Sequence, residues 1–258
     1  MAPLQAAGAL VPWQDTPNGP VFRPDLHGTG FFISTGVFLS ARHVFEALPP
    51  GHKKMVMIIL NVAGVHIMPV AKVIEHPTHD IALGVVHATP EQAALMRPMT
   101  LAANTLPVGA KVAVLGYPHN RTDHKLDDDG VALSKLGFTP DFYEGRVEEH
   151  SFGGTGLVRR GPTYLTDIAP PPWHFDLGGV SGGPMVSCEN GDVHGIYSSG
   201  SPGSPDGPEG PGVPAYSIFT DIAVALDWGV LTDQQGRSLT IRELALVGKP
   251  FELIGDED

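Results

Sequence analysis

Cysteine is almost absent: one thiol, Cys188, in 258 residues. No intramolecular disulfide can form, which sets the chain apart from secreted folds held by several bridges. Positive charge is scarce. Sixteen Lys and Arg stand against 28 Asp and Glu, a net charge of −12. No basic run or basic–aromatic stripe interrupts that balance, so no nucleic-acid partner is expected. Long hydrophobic runs are missing too. The strongest, residues 55–65 (MVMIILNVAGV), is too short to span a bilayer and reads as a buried strand. Residues 1–13 contain no Lys or Arg and no extended apolar stretch, so no signal peptide is expected. The expected setting is a reducing cytoplasm, away from membranes. Charged residues are only 17% of the chain against 42% hydrophobic, a composition that forms a core and does not stay disordered.

Glycine (32) and proline (25) are plentiful. They imply many turns and few long helices, hence an all-β chain. Short apolar segments predict strands at 30–34, 36–40, 55–61, 66–74, 81–87, 111–116, 145–151, 162–168, 184–187, 193–198 and 215–219. Helical pieces are expected at 41–46, 91–97, 221–228 and 240–247. Residues 121–142 are polar and read as a long loop or linker. Residues 200–214 hold ten Gly or Pro in fifteen, an exposed loop.

Three segments carry chemistry. Gly179-Val180-Ser181-Gly182-Gly183-Pro184 places a serine in a glycine-rich turn. A nucleophilic serine needs a tight turn that exposes Oγ, with backbone N–H groups aimed at the developing oxyanion. Flanking glycines allow both; a plain surface turn is the competing reading. Phe38-Leu39-Ser40-Ala41-Arg42-His43-Val44 sets a histidine directly after an apolar strand. His76-Pro77-Thr78-His79-Asp80-Ile81-Ala82-Leu83 sets an acid at the start of another. Alone, His43 reads as structural and Asp80 as a turn or cap residue. His76 and His79 lack a matching ligand set and read as loop histidines. Cys188 reads as a small buried hydrophobe in a strand.

Together the three segments resemble the chymotrypsin/trypsin superfamily, in the flavour of bacterial disulfide-free trypsin-like peptidases such as HtrA protease domains. The chain order is His, Asp, Ser, with gaps of 37 and 101 residues. Val193-His194-Gly195-Ile196-Tyr197-Ser198-Ser199-Gly200 is similar to the family strand that pairs with substrate. The resemblance covers about residues 28–228. It implies two packed six-stranded antiparallel β-barrels with a short C-terminal helix: a peptidase domain over 1–228, barrels at 20–118 and 144–228, a linker at 119–143, and an extension at 229–258. It also implies a serine endopeptidase acting on a protein or peptide. Ser181 is then the nucleophile, His43 the general base and Asp80 its orienting acid, and the N–H groups of Gly179 and Ser181 form the oxyanion hole. Neither metal nor organic cofactor is expected. Substrate contacts are expected at Phe175, Asp176, Tyr197, Ser198, Ser199 and Gly200. Asp176 has two readings, an acid meeting a basic P1 side chain or a carboxylate satisfied in its loop.

One departure stands out. Relatives made as zymogens carry Asp before the serine, and that Asp pairs with a newly cut N-terminus. Here the position is Val180, so the enzyme is expected to be active as made or ordered by an activating partner. The rival readings are a catalytically silent or latent peptide-binding module on the same fold and a hydrolase of small esters or amides.

Overall fold

The computed structural model describes residues 5–17, 19–22, 28–46, 48, 54–61, 64–126, 132–151, 161–169, 179–201, 203, 214–233 and 235–247, with the side chains of 119–136 outside that description. The first barrel uses β1 (Ala7–Thr16), β3 (Gly28–Ser34), β4 (Val37–Ser40), β5 (Lys54–Asn61), β6 (Gly64–Glu75) and β7 (Ala82–Val86). They pair antiparallel in the order β1-β3-β4-β7-β6-β5, and a β1–β5 pairing closes the ring. Strand β2 (Gly19–Phe22) adds to β1 outside it. Closure removes the exposed edges an open sheet would leave. Every residue of β3 and β4 is buried. Phe31, Phe32, Phe38, Leu39 and Met57 pack in one core there.

The second barrel is β8 (Lys111–Leu126), β9 (Ala132–Ser151), β10 (Thr163–Thr166), β11 (Pro184–Ser187), β12 (Val193–Ser201) and β13 (Tyr216–Asp221), closed in the order β10-β13-β12-β11-β8-β9. Its core holds Val112, Val114, Tyr164, Val180, Met185 and Phe219. The chymotrypsin-like double barrel expected from the sequence is the fold observed.

Boundaries differ from the sequence reading in three places. The first barrel begins at Ala7 and not near 20, because β1 supplies the pairing that closes it. The strand at 111–116 belongs to the second barrel, where β8 pairs with β11 and β9. Of the segment read as a linker at 119–143, the described residues 119–126 and 132–143 instead belong to the outer part of the β8–β9 ladder. The chain crosses between barrels earlier, over 87–110. That stretch includes α2 (Pro90–Leu95), whose Thr89 and Gln92 form a reciprocal capping box.

After β13 comes a single 3-10 turn, Ile222–Ala225, in place of the longer helix expected at 221–228. The end of the described chain is a hairpin, β14 (Gly229–Thr232) and β15 (Ser238–Thr240), followed by α3 (Ile241–Val247). Leu231, Leu239, Ile241 and Leu244 bury into the first-barrel core. The described part of the segment read as an extension, up to Val247, therefore returns to the first barrel. Cys188 lies in the exposed turn after β11, not buried in a strand, because β11 ends at Ser187.

Candidate active site

Strand β4 ends at Ser40, and the chain turns at once into the one-turn helix α1 (His43–Glu46). Val44 and Phe45 bury on its inner side, which leaves His43 partly exposed, at 31%. Asp80 sits at the end of the loop between β6 and β7 with its side chain only 8% exposed. The His43 Nδ1 lies 3.0 Å from Asp80 Oδ2 and 3.1 Å from Oδ1. The His43 backbone N–H donates to Asp80 Oδ1 at 3.0 Å. A carboxylate only accepts, so Nδ1 carries the proton of the neutral ring and Nε2 keeps its lone pair. A third donor reaches the acid from the other barrel. The Ser198 hydroxyl donates to Asp80 Oδ2, and Ser198 shares a hydrogen bond with Thr220 Oγ1 at 3.2 Å. Three hydrogen bonds therefore converge on the carboxylate and fix its orientation.

Arg42 ties the base's helix to the acid's loop. Its Nη1 donates to the carbonyls of His76 (3.0 Å) and Pro77 (3.3 Å). Its Nε meets Glu46 at 2.8 Å and Glu75 at 3.3 Å. His76 is a loop histidine, as read, but a buried one. Its Nδ1 accepts the N–H groups of Thr78 (3.2 Å) and His79 (3.1 Å), and its ring packs edge-on against Trp228.

Ser181 lies on the turn entering β11, partly exposed. Gly179 and Gly182 adopt φ of +84° and +87°, conformations that cost L-residues dearly. The Gly183 N–H closes the turn on the Val180 carbonyl at 2.7 Å. The Gly182 N–H donates to the Tyr197 carbonyl at 2.9 Å, and the Tyr197 N–H donates to the Gly183 carbonyl at 2.8 Å. Among the described residues, no acceptor takes the N–H of Gly179 or Ser181. Val180 is fully buried in the second core.

The three candidate groups converge. A Cβ at Gly28 would meet the Val44 methyls at 2.7 Å and the Ser181 carbonyl at 2.9 Å, so the neighbour of His43 and the serine itself flank one glycine. Asp80 meets Ser198, and Gly182 meets Tyr197, at adjacent positions of β12. His43, Asp80 and Ser181 thus gather where the two barrels face each other.

The specificity residues divide. Phe175 and Asp176 lie outside the described residues. Ser199 and Gly200 form the outer part of β12, half-buried and exposed. Tyr197, expected against substrate, is buried in the second core with its ring edge-on to Phe219; a side chain that large fills the barrel interior under β12. Ser198 contacts the acid. Sequence reasoning missed Thr29, Thr220 and Arg42. The hydroxyl of Thr29 between Gly28 and Gly30 was a signal in plain view. Thr220 lies 20 residues beyond the nearest motif, which ends at Gly200, and gave none.

No curated protein matches the chain by sequence. Among solved structures, the HtrA-type protease AlgW with a tripeptide aligns at a TM-score of 0.53 and 19% identity, covering 86% of this chain and 58% of that one. The MamO protease domain from Magnetospirillum magneticum, in its apo form, aligns at 0.52 and 18%, covering 86% and 94%. The active form of the Rv3671c protease from M. tuberculosis aligns at 0.52 and 20%, covering 86% and 79%. Identities this low establish the shared double barrel. The family is fixed by sequence: the model of the trypsin-like peptidase domain matches residues 28–196, well over half the chain and all three candidate residues, and the chain belongs to that family.

Proposed function

We propose that the protein is a serine endopeptidase in which Ser181, His43 and Asp80 form the catalytic triad. The observation that carries this reading is the Nδ1–carboxylate hydrogen bond of His43 to a buried Asp80, in the cleft that also holds a serine on a glycine-flanked turn. In the reaction, His43 Nε2 takes the proton of Ser181 Oγ as that oxygen attacks the scissile carbonyl. The imidazolium is steadied by Asp80. Collapse of the tetrahedral adduct breaks the C–N bond, and the amine leaves with the proton from His43. Water then repeats the sequence on the acyl-enzyme.

The Gly179 and Ser181 N–H groups suit an oxyanion hole. The peptide plane shared by Val180 and Ser181 is pinned by Gly183 on the carbonyl side, so the Ser181 N–H points the opposite way. An extended peptide fits the outer part of β12. Its pairing with β11 ends at Ile196, while its pairing with β13 continues to Ser201, leaving one edge for a substrate strand. Burial of Val180 supports an oxyanion turn that needs no newly cut N-terminus. A single exposed thiol supports the cytoplasm as the place of action.

The test is covalent labelling by a fluorophosphonate, which requires an activated serine and an oxyanion hole. The parent protein should label and Ser181→Ala should not. A folded parent that stays unlabelled would overturn the reading in favour of a silent peptide-binding module.

A further inference from the structure

Thr29 stands on β3, some 150 residues from the nucleophile, and is fully buried. Both carbonyls that flank the Val180 position bond to it. The Thr29 hydroxyl donates to the Gly179 carbonyl at 2.7 Å. The Thr29 backbone N–H donates to the Ser181 carbonyl at 2.7 Å. The same hydroxyl accepts the Tyr117 N–H at 3.2 Å. It has one proton, committed to Gly179, and Tyr117 occupies a lone pair, so its orientation has a single setting. The Thr29 carbonyl in turn accepts the Ser40 hydroxyl at 2.7 Å, three residues before His43.

A turn with glycines at 179, 182 and 183 has little of its own to resist a peptide flip, since no Cβ restricts those dihedrals. A flip of the 179–180 peptide would break the Thr29 bond and leave buried polar groups unpaired, which is costly away from water. We propose that Thr29 is a positioning residue for catalysis: its hydroxyl locks the 179–181 backbone in the conformation that presents the oxyanion N–H groups, and its main chain registers that turn against the strand pair carrying His43. This rests on the reading of Ser181 as nucleophile.

The experiment compares the parent, Thr29→Ser and Thr29→Val by their second-order rate of fluorophosphonate labelling across pH, with thermal midpoints measured in parallel. A phosphonylated serine places its phosphoryl oxygen where the oxyanion forms, so the rate reports the turn directly. Removing one oxyanion donor outright typically costs 10²–10³-fold. Loosening the turn through Thr29→Val should lower the plateau rate about 10- to 100-fold and leave the midpoint of the pH profile unmoved, because the His43–Asp80 contact is untouched. Thr29→Ser, which keeps the hydroxyl, should label within about threefold of the parent. If Thr29→Val does not fold, Thr29→Ala, which leaves room for a water on the Tyr117 N–H, takes its place under the same criteria. A hydroxyl-free variant labelling at the parent's rate, or Thr29→Ser as slow as Thr29→Val, overturns the proposal while the nucleophile reading stands. A folded parent that does not label removes the nucleophile reading, and this inference with it.

Discussion

Gly182 shows how tightly the two barrels meet beside the nucleophile. Its φ is +87°, and a Cβ there would run into the Ser40 hydroxyl, the Thr29 carbonyl and the Ala41 nitrogen. Two of those obstacles are backbone and cannot swing aside. Gly191 offers the contrast, with a similar φ of +79° and nothing within 4 Å of its Cβ position. Gly191→Ala should therefore cost only the left-handed penalty, about 1–2 kcal/mol. Gly182→Ala adds an inter-barrel clash, and should cost upwards of about 3 kcal/mol and cripple labelling of Ser181. Thermal midpoints of the two variants measure the difference. Equal losses would mean that the barrels part easily at this contact.

At the scale of elements, the loop from β6 to β7 delivers Asp80 and is organised by His76. The His76 N–H donates to the Ile81 carbonyl at 2.9 Å, and its Nδ1 accepts two further N–H groups. Burial, with the His79 and Arg42 charges nearby, pushes the His76 pKa down to about 4. A free histidine titrates near 6.5. Between these values the unfolded chain takes up the proton more readily, so stability falls as pH drops from about 6.5 to 4 and this group adds no further slope outside that window. The effect should be on the order of 2 kcal/mol, the full shift being discounted for residual solvent. His76→Asn keeps an acceptor for the loop N–H groups and cannot titrate; urea unfolding at pH 6.5 and at pH 4.5 should show a flatter dependence in that variant. An unchanged slope would assign acid sensitivity elsewhere. Of this loop, the sequence revealed Asp80 at the head of an apolar strand. It did not reveal His76 as a buried acceptor, because a lone histidine has no periodicity to betray it. The same limit applies to whole strands. Strand β5 was legible as the apolar run MVMIIL. Strand β1 was not, since AGALVPWQDT mixes small residues with Pro12 and is buried from Ala7 to Pro12 without alternation. The outer β8–β9 hairpin was hidden by polarity: its ladder, from Lys111↔Arg146 to Leu126↔Ala132, is main-chain bonding that side-chain hydropathy does not report.

Across the whole molecule, the last described segment straps one barrel to the other. The chain leaves β13 of the second barrel and crosses through the 3-10 turn, and β14, β15 and α3 then settle on the first. Thr240 and Glu243 cap α3 reciprocally. The Glu243 N–H donates to Thr240 Oγ1 at 3.2 Å, and the Thr240 N–H donates to Glu243 Oε2 at 2.9 Å. The Arg242 N–H donates to the Leu226 carbonyl at 2.9 Å, and Arg242 Nε meets Asp227 at 3.0 Å. A seven-residue helix has no stability of its own in water, so it persists through the face it buries. That face is Ile241 and Leu244, both packed in the core that holds Phe31 and Phe38. Because the candidate site lies where the barrels face each other, a strap that leaves β13 of the second barrel and packs in the first core also restrains how far they separate. Leu244→Ala should leave a cavity in the first core, costing about 2–4 kcal/mol and lowering Tm by roughly 5–10 °C. Leu246, 80% exposed on the same helix, serves as the comparison: Leu246→Ala should change stability by less than about 0.5 kcal/mol. Thermal melts of the two variants separate a segment that completes the first barrel from one merely appended to it. In the appended case both substitutions would be equally silent.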